Sequence, residues 1–270
     1  MTDLPIPGAL SHGDAAWRPQ CDCPVCGDDC APLDVVDFNK SCEEYRSKFL
    51  PLSGTPIYYY LCEYCGFCFA PSICQWTPEE FSRRIYNADY AEIDPDYLDV
   101  RPRGNAAFLS NLIGSSAPEI NHLDYGGGNG LLSSLLREAG WRSQSCDPYG
   151  GGGADLAGAG KFDLISAFEV FEHVSNPREL ISTLTSLLND SGVIIFSTLV
   201  SDGHIAKNQR LNWWYASPRN GHISLFSKNS LHALGRLEQL VMGSFSENTH
   251  LYVRPGRTPE WAKHFINFTP

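Results

Sequence analysis

Three groups of residues in this 270-residue chain have the types and spacing to do chemistry. The first is a pair of C-x2-C-G knuckles, Cys23-Pro-Val-Cys26-Gly27 and Cys62-Glu-Tyr-Cys65-Gly66, with 35 residues between them. Two residues between cysteines let both sulfurs point at one ion from a tight turn, and the glycine tolerates the backbone twist that follows. Two such knuckles supply four soft ligands, which predicts a closed tetrahedral zinc site with a structural role. Cys21, Cys30, Cys42, Cys68 and Cys74 lie in the same stretch and compete for the ligand positions, or serve as small buried apolar residues. Free or redox thiols are the other reading.

The second group is Asp124-Tyr125-Gly126-Gly127-Gly128-Asn129-Gly130, followed by Asp147. Gly126, Gly128 and Gly130 fall where an apolar strand gives way to a helix, so backbone can press against a ligand at the helix N-terminus. A dinucleotide fingerprint would place glycine at 131, which is Leu131. Asp147 ends the next strand, where a carboxylate can accept both hydroxyls of a ribose. The third group is Glu169, Glu172 and His173. At spacings i, i+3 and i+4 a helical turn would gather them on one face. There they could hold a divalent ion such as Mg2+, with His222 as a fourth ligand. His173 alone is the best general base, expected to titrate near neutrality, and His222 is the second choice. The plainer reading has His173 packing against the helix that follows.

These residues need elements to position them. The net charge of −11 sits wholly in residues 1–100, which hold 17 acidic and 6 basic residues; residues 101–270 hold 14 of each. Nine of the ten cysteines lie between Cys21 and Cys74. The chain therefore reads as a zinc-binding module (1–78), a helical linker (79–102) and a second domain (103–270). In the second, strands at Ile120–Asp124, Trp141–Cys146, Phe162–Phe168 and Gly192–Leu199 alternate with helices at Arg103–Ile113, Leu131–Ala139 and Pro177–Leu188. A helix around Ser230–Arg236 and strands at Glu238–Phe245 and Thr249–Val253 follow. This alternation implies a mostly parallel sheet covered by helices. Glu79–Tyr90 reads as a bridge between domains rather than a binding surface. Trp213, Trp214 and Tyr215, in the long connection 202–220, read either as a lid over substrate or as a plug between the domains.

At these residues the chain resembles the class I S-adenosylmethionine-dependent methyltransferases. Leu123–Gly130 is similar to their first motif, Cys146-Asp147-Pro148 to their ribose-binding acid, and Phe162–Val174 to the strand and turn beyond. Trp214-Tyr215 and Gly221–Ser227 extend the likeness across roughly residues 100–255. The resemblance implies a Rossmann-like α/β fold with a mostly parallel seven-stranded sheet, its last strand antiparallel. It also implies that Asp124 orients the methionine end of S-adenosyl-L-methionine, with Tyr125, Gly126, Gly128 and Gly130 against it. Asp147 would hold the ribose and Phe168 would lie beside the adenine. Only residues 148–161, rich in glycine, separate Asp147 from Phe162, so the elements usual there must be reduced; Asp155 is a candidate contact to the adenine amine. The knuckles before this domain resemble those of bacterial methyltransferases acting on sugars and secondary metabolites. Glu-x-x-Glu-His resembles both metal-dependent and metal-independent members.

The expected activity is O-methylation of a small-molecule or glycan acceptor. An RNA methyltransferase with a zinc module would want a basic surface, which this charge distribution opposes. A cofactor-binding partner without activity is the third class. No apolar run reaches the roughly 18 residues a membrane helix needs. The first residues lack the basic start and apolar stretch of a secretory signal, so the expected place is the cytoplasm.

Overall fold

The computed structural model describes residues 21–147 and 160–266. Asp155 and most of the glycine-rich stretch before Phe162 lie outside the described residues. Four strands open the chain: β1 (Cys21–Asp22), β2 (Asp29–Asp37), β3 (Pro56–Cys62) and β4 (Cys68–Phe69). Three helices follow, α1 (Pro78–Arg84), α2 (Tyr90–Ile93) and α3 (Val100–Ile113). Then come β5 (Asn121–Tyr125), α4 (Leu131–Glu138), β6 (Arg142–Cys146), β7 (Phe162–Ala167), α5 (Pro177–Leu187) and β8 (Leu188–Ser197). The chain closes with β9 (Ser224–Leu225), α6 (Lys228–Leu237), β10 (Val241–Ser244) and β11 (Thr249–Val253).

Local sequence explains the helix starts. Asn176 accepts from the Glu179 amide and Pro177 fills the first turn of α5. Thr77 and Glu80 form a reciprocal capping box on α1, and Ser227 caps α6. Gly130, at φ +74°, enters α4 from the left-handed region.

The larger sheet has the order β10-β11-β8-β7-β5-β6. Its β5, β6, β7 and β8 are parallel, and β11 runs antiparallel to β8. Six strands are described, not the seven expected. The central strands β7 and β8 are covered on both faces, so their middles are apolar, with Ile165, Ile194, Ile195 and Phe196 fully buried.

The smaller sheet is antiparallel, in the order β1-β2-β3-β4-β9. Its fifth strand therefore comes from the far half of the chain, with Cys68 opposite Leu225 and Phe69 opposite Ser224. Other bonds tighten that seam. The Tyr59 hydroxyl donates to the His222 carbonyl oxygen at 2.7 Å, and the Cys42 amide donates to Asn220 Oδ1 at 2.8 Å. The Arg178 guanidinium of α5 donates twice to the carbonyl oxygen of Val25, inside the first knuckle. The cysteine-rich stretch is thus welded to the second half by a shared sheet. Among the described residues no helix is long and apolar enough to cross a membrane.

Candidate active site

A cavity of about 580 Å3 opens at the C-terminal ends of β5 and β7, where parallel sheets place their ligands. Asp124, Tyr125, Gly126, Gly128, Asp147, Phe168, Glu169 and His173 all line it. The glycine turn is shaped from below. The Gly126 amide donates to the Cys146 carbonyl oxygen at 2.7 Å, and the Gly128 amide donates to Asp147 Oδ2 at 2.8 Å. A Cβ added at Gly126 would stand 2.5 Å from Val170, and one at Gly127 within 2.3 Å of Ser145 and Asp124. At Gly128, with φ +55°, an added Cβ would meet nothing within 4 Å. That position faces open cavity, whereas Gly130 belongs to the helix entrance.

Asp124 is buried, and burial pushes its carboxyl up to about 7 while Ser166 pulls it down. Ser166 Oγ donates to its Oδ1 at 2.9 Å, and its Oδ2, also buried, has no partner among the described residues. A buried carboxylate oxygen without a partner is costly unless something binds it.

The turn after β7 departs from expectation. Glu169 stands at φ +54°, outside any helix, and only Phe171–His173 form a single 3-10 turn. Ser197 Oγ accepts from the Glu169 amide at 2.8 Å and donates to its Oε1 at 2.7 Å. Arg101 pairs with its Oε2 at 3.2 Å and also with Asp94. Glu169 is therefore not grouped with Glu172 and His173. Instead Glu172, His173 and His222 offer ligand atoms within 4.8 Å of one another. Glu172 is fully buried, lies off the cavity, and accepts from the Tyr215 hydroxyl at 2.5 Å; burial, with Glu169 nearby, raises it to about 8.

His173 reaches the cavity, with a buried Nδ1 that has no partner among the described residues. The expectation of near-neutral titration fails: burial and the Arg101 cation hold it down at about 3. It is a neutral, weakly basic imidazole. His222 sits behind it, ring centroids 4.9 Å apart, with Nδ1 2.9 Å from the Tyr215 carbonyl oxygen. It touches no described cavity surface.

Two further expectations are corrected. Trp213 and Tyr215 are buried among Ile57, Tyr59 and Ile223, and Trp214 packs at a tilt against Tyr45. These aromatics plug the seam between the halves; they do not cover the cavity, because their apolar area is worth more buried than exposed. Conversely, the linker lines the cavity. Tyr86, Tyr90, Asp94, Tyr97 and Arg101 form the wall facing the glycine turn, and Asn129 Nδ2 donates across to the Leu98 carbonyl oxygen at 3.0 Å. Sequence reasoning missed them. Their signal was the density of tyrosines and charges between residues 86 and 101, of which Glu79–Tyr90 read as a bridge between domains.

The four nominated cysteines do come together. Cys23, Cys26, Cys62 and Cys65 place their sulfurs within 4.8 Å of one another, with Cys23–Cys65 at 3.6 Å and Cys26–Cys62 at 3.5 Å. Gly27 and Gly66, at φ +86° and +75°, turn back so that their amides donate to the Cys23 and Cys62 carbonyl oxygens. Both halves of the tetrad are built alike.

Residues 97–240, more than half of the chain, match a family described as a methyltransferase domain. The chain belongs to that family. Among solved structures the protein is similar to an O-methyltransferase family protein from Burkholderia thailandensis, at 14% identity and a TM-score of 0.48, over 65% of this chain and 62% of that one. The chain thus spans less than two thirds of that relative. It is also similar to the magnesium protoporphyrin IX methyltransferase of Synechocystis (18% identity, TM-score 0.40, 66% and 97% covered). A third is a 1,6-didemethyltoxoflavin-N1-methyltransferase of Burkholderia thailandensis (16% identity, TM-score 0.42, 69% and 93% covered). No curated protein matches the chain.

Proposed function

We propose that this protein is an S-adenosylmethionine-dependent O-methyltransferase acting on a small molecule, with a structural zinc in its N-terminal sheet. One observation carries the reading. Asp124, whose buried Oδ2 has no partner among the described residues, lines the same cavity as Gly128, a turn glycine whose missing side chain leaves ligand space. The site fits the cofactor: Asp124 for the ammonium end, Asp147 for ribose hydroxyls, Phe168 as an apolar face. Bound there, S-adenosylmethionine supplies a methyl group on a positively charged sulfur.

The chain's own task is alignment and proton removal. We assign proton removal to His173, the imidazole that borders the cavity and that burial keeps neutral. Tyr86, Tyr90 and Tyr97 form a ring-lined wall opposite the glycine turn, and the cavity volume lies in the range of small-molecule sites. The even charge of residues 101–270 and the acidic N-terminal stretch support a small acceptor over RNA. Zinc is supported by sulfur spacings of 3.5 and 3.6 Å, close to the edge of a tetrahedron built on Zn–S bonds of about 2.3 Å.

Calorimetric titration with S-adenosylhomocysteine tests the cofactor assignment. The wild type should bind and Gly128→Val, folded as judged by circular dichroism, should not; a wild type that binds nothing overturns the reading. Elemental analysis of protein purified without chelators should return one zinc per chain, and no zinc retires the metal. A second reading, a divalent ion assisting the acceptor hydroxyl, is favoured by the Glu172, His173 and His222 cluster and by the unpartnered Glu172 Oε2. Turnover that stops in mild chelator and returns with Mg2+ or Mn2+ supports it; full turnover in chelator leaves His173 as a metal-free base.

A further inference from the structure

The face of β5 behind the glycine turn is polar where a doubly covered parallel sheet is normally apolar. His122 and Asp124, two residues apart, share one face of the strand, and both are buried. The parallel register sets Ser143 of β6 opposite His122 and Ser166 of β7 opposite Asp124, while α4 lowers Ser133 onto the same patch. The result is a continuous chain. Ser133 Oγ lies 2.9 Å from Ser143 Oγ, which lies 2.8 Å from His122 Nδ1. His122 Nε2 lies 3.0 Å from Ser166 Oγ, which lies 2.9 Å from Asp124 Oδ1. The Trp141 ring packs edge-on against the imidazole, with centroids 5.8 Å apart. Apolar residues would fill this space without the cost of burying polar groups, so the arrangement calls for another explanation.

Proton counting supplies one. Each serine has one hydroxyl proton, and a neutral imidazole has one N–H. With Asp124 ionised, Ser166 gives its proton to Oδ1 and accepts from His122 Nε2–H. Nδ1 then faces Ser143 Oγ, which lies 2.9 Å from Ser133 Oγ at the far end of the chain. At the carboxylate end the donors point toward Asp124. With Asp124 protonated on Oδ2, Oδ1 still accepts from Ser166 as a carbonyl oxygen, but the bond no longer ends on a charge. Hydrogen bonds that end on a charge are the stronger set, and aligned bonds polarise one another. The chain therefore favours the ionised form.

We propose that His122 is a positioning residue for the cofactor, holding Asp124 through Ser166 in one rotamer and as a carboxylate at the cavity wall. The inference rests on the cofactor reading above. Several charged groups surround Asp124. Asp147, at the end of β6, opposes its ionisation, and Arg137 of α4 bonds the Ser143 carbonyl oxygen. Arg101, Glu169 and His173 border the same cavity. Burial keeps His122 itself neutral, far below the working range, so a change between pH 5.5 and 8.5 is not its own titration.

The test is S-adenosylhomocysteine affinity, by calorimetry on the full chain from pH 5.5 to 8.5. Wild-type affinity should fall as pH drops through the Asp124 midpoint. In His122→Leu the midpoint should move up by about one pH unit, weakening binding about tenfold on the acid side and less than about twofold at pH 8.5. His122→Gln, whose amide can reach Ser166, should restore the wild-type profile, and Ser166→Ala should shift it at least as far as His122→Leu. An unchanged midpoint in His122→Leu, or equal weakening at every pH, overturns the proposal. If His122→Leu fails to fold, a wild-type profile in Ser166→Ala overturns it instead. A wild type that binds no S-adenosylhomocysteine sinks the cofactor reading first, which keeps the two failures distinct.

Discussion

In the six-stranded sheet, β7 and β8 bury Ile165, Ile194, Ile195 and Phe196 completely, and Phe196 stacks between Phe171 at 4.2 Å and Tyr252 at 4.7 Å. In the five-stranded sheet only β2 and β3 are long; β1, β4 and β9 have two residues each. Strands that short cannot bury enough surface to offset the ordering of their backbone. Their corner is gathered by four sulfurs, and their outer edge by β9 from the other half. The larger sheet is held by its apolar stack, while the smaller, which also buries Ile57 and Tyr59, adds a sulfur cluster and a borrowed strand. A cysteine-rich segment can thus look like a separate module in sequence and still not be one in space.

The comparison breaks most visibly at the sulfurs. In Cys62→Ser, amides of β1–β4 should exchange at least about a hundredfold faster while β7 and β8 keep their protection, because metal binding and folding are coupled in such sites. Equal loss in both sheets, read by hydrogen-exchange mass spectrometry, would show that the seam and not the metal is decisive. On the other side, Phe196→Ala should cost about 3–5 kcal/mol in denaturant unfolding. A loss under about 1 kcal/mol would mean the apolar stack is not what holds that sheet.

Tyr215→Phe probes the seam between them. It strands Glu172 without its 2.5 Å donor, so stability should fall by about 2 kcal/mol while S-adenosylhomocysteine affinity is unchanged. Lost affinity at full stability would restore the lid reading for these aromatics.

The smallest expected effect is the pH dependence carried by His250, whose pKa burial lowers. Its unfolded form takes up a proton near pH 6.5 that the folded form refuses, so its contribution is full above that pH and shrinks as pH falls. His250→Gln should remove up to about 1.4 kcal/mol per pH unit of acid-side slope. Asp124 and Glu172 act oppositely: their raised values favour the fold at low pH and lose that contribution as pH rises toward about 7 and about 8. An identical slope in His250→Gln would show that residue to be solvated.

Much of the site was legible because its geometry is local. A C-x2-C-G knuckle and a strand-to-helix glycine turn are each set within a few residues, so spacing alone announces them. Asn176 before Pro177 did the same for a helix start. The Glu169, Glu172 and His173 reading failed where it assumed a helix the chain does not form. Glu169 is drawn to φ +54° by Ser197 and Arg101, residues 28 and 68 positions away.

By itself, then, the sequence determined the glycine turn with Asp124 and Asp147, the paired knuckles, and the alternation of strands and helices behind them. Only tertiary structure decided that the linker tyrosines and Arg101 wall the cavity, that Trp213 and Tyr215 are interior, and that β9 completes the first sheet. It also decided which way His122 faces, since a strand residue joins a polar network only through partners that the sheet register brings alongside. Local rules follow from backbone stereochemistry within a turn. The rest depends on which distant segments bury the most apolar area together while leaving their polar atoms satisfied, and no window of residues contains that competition.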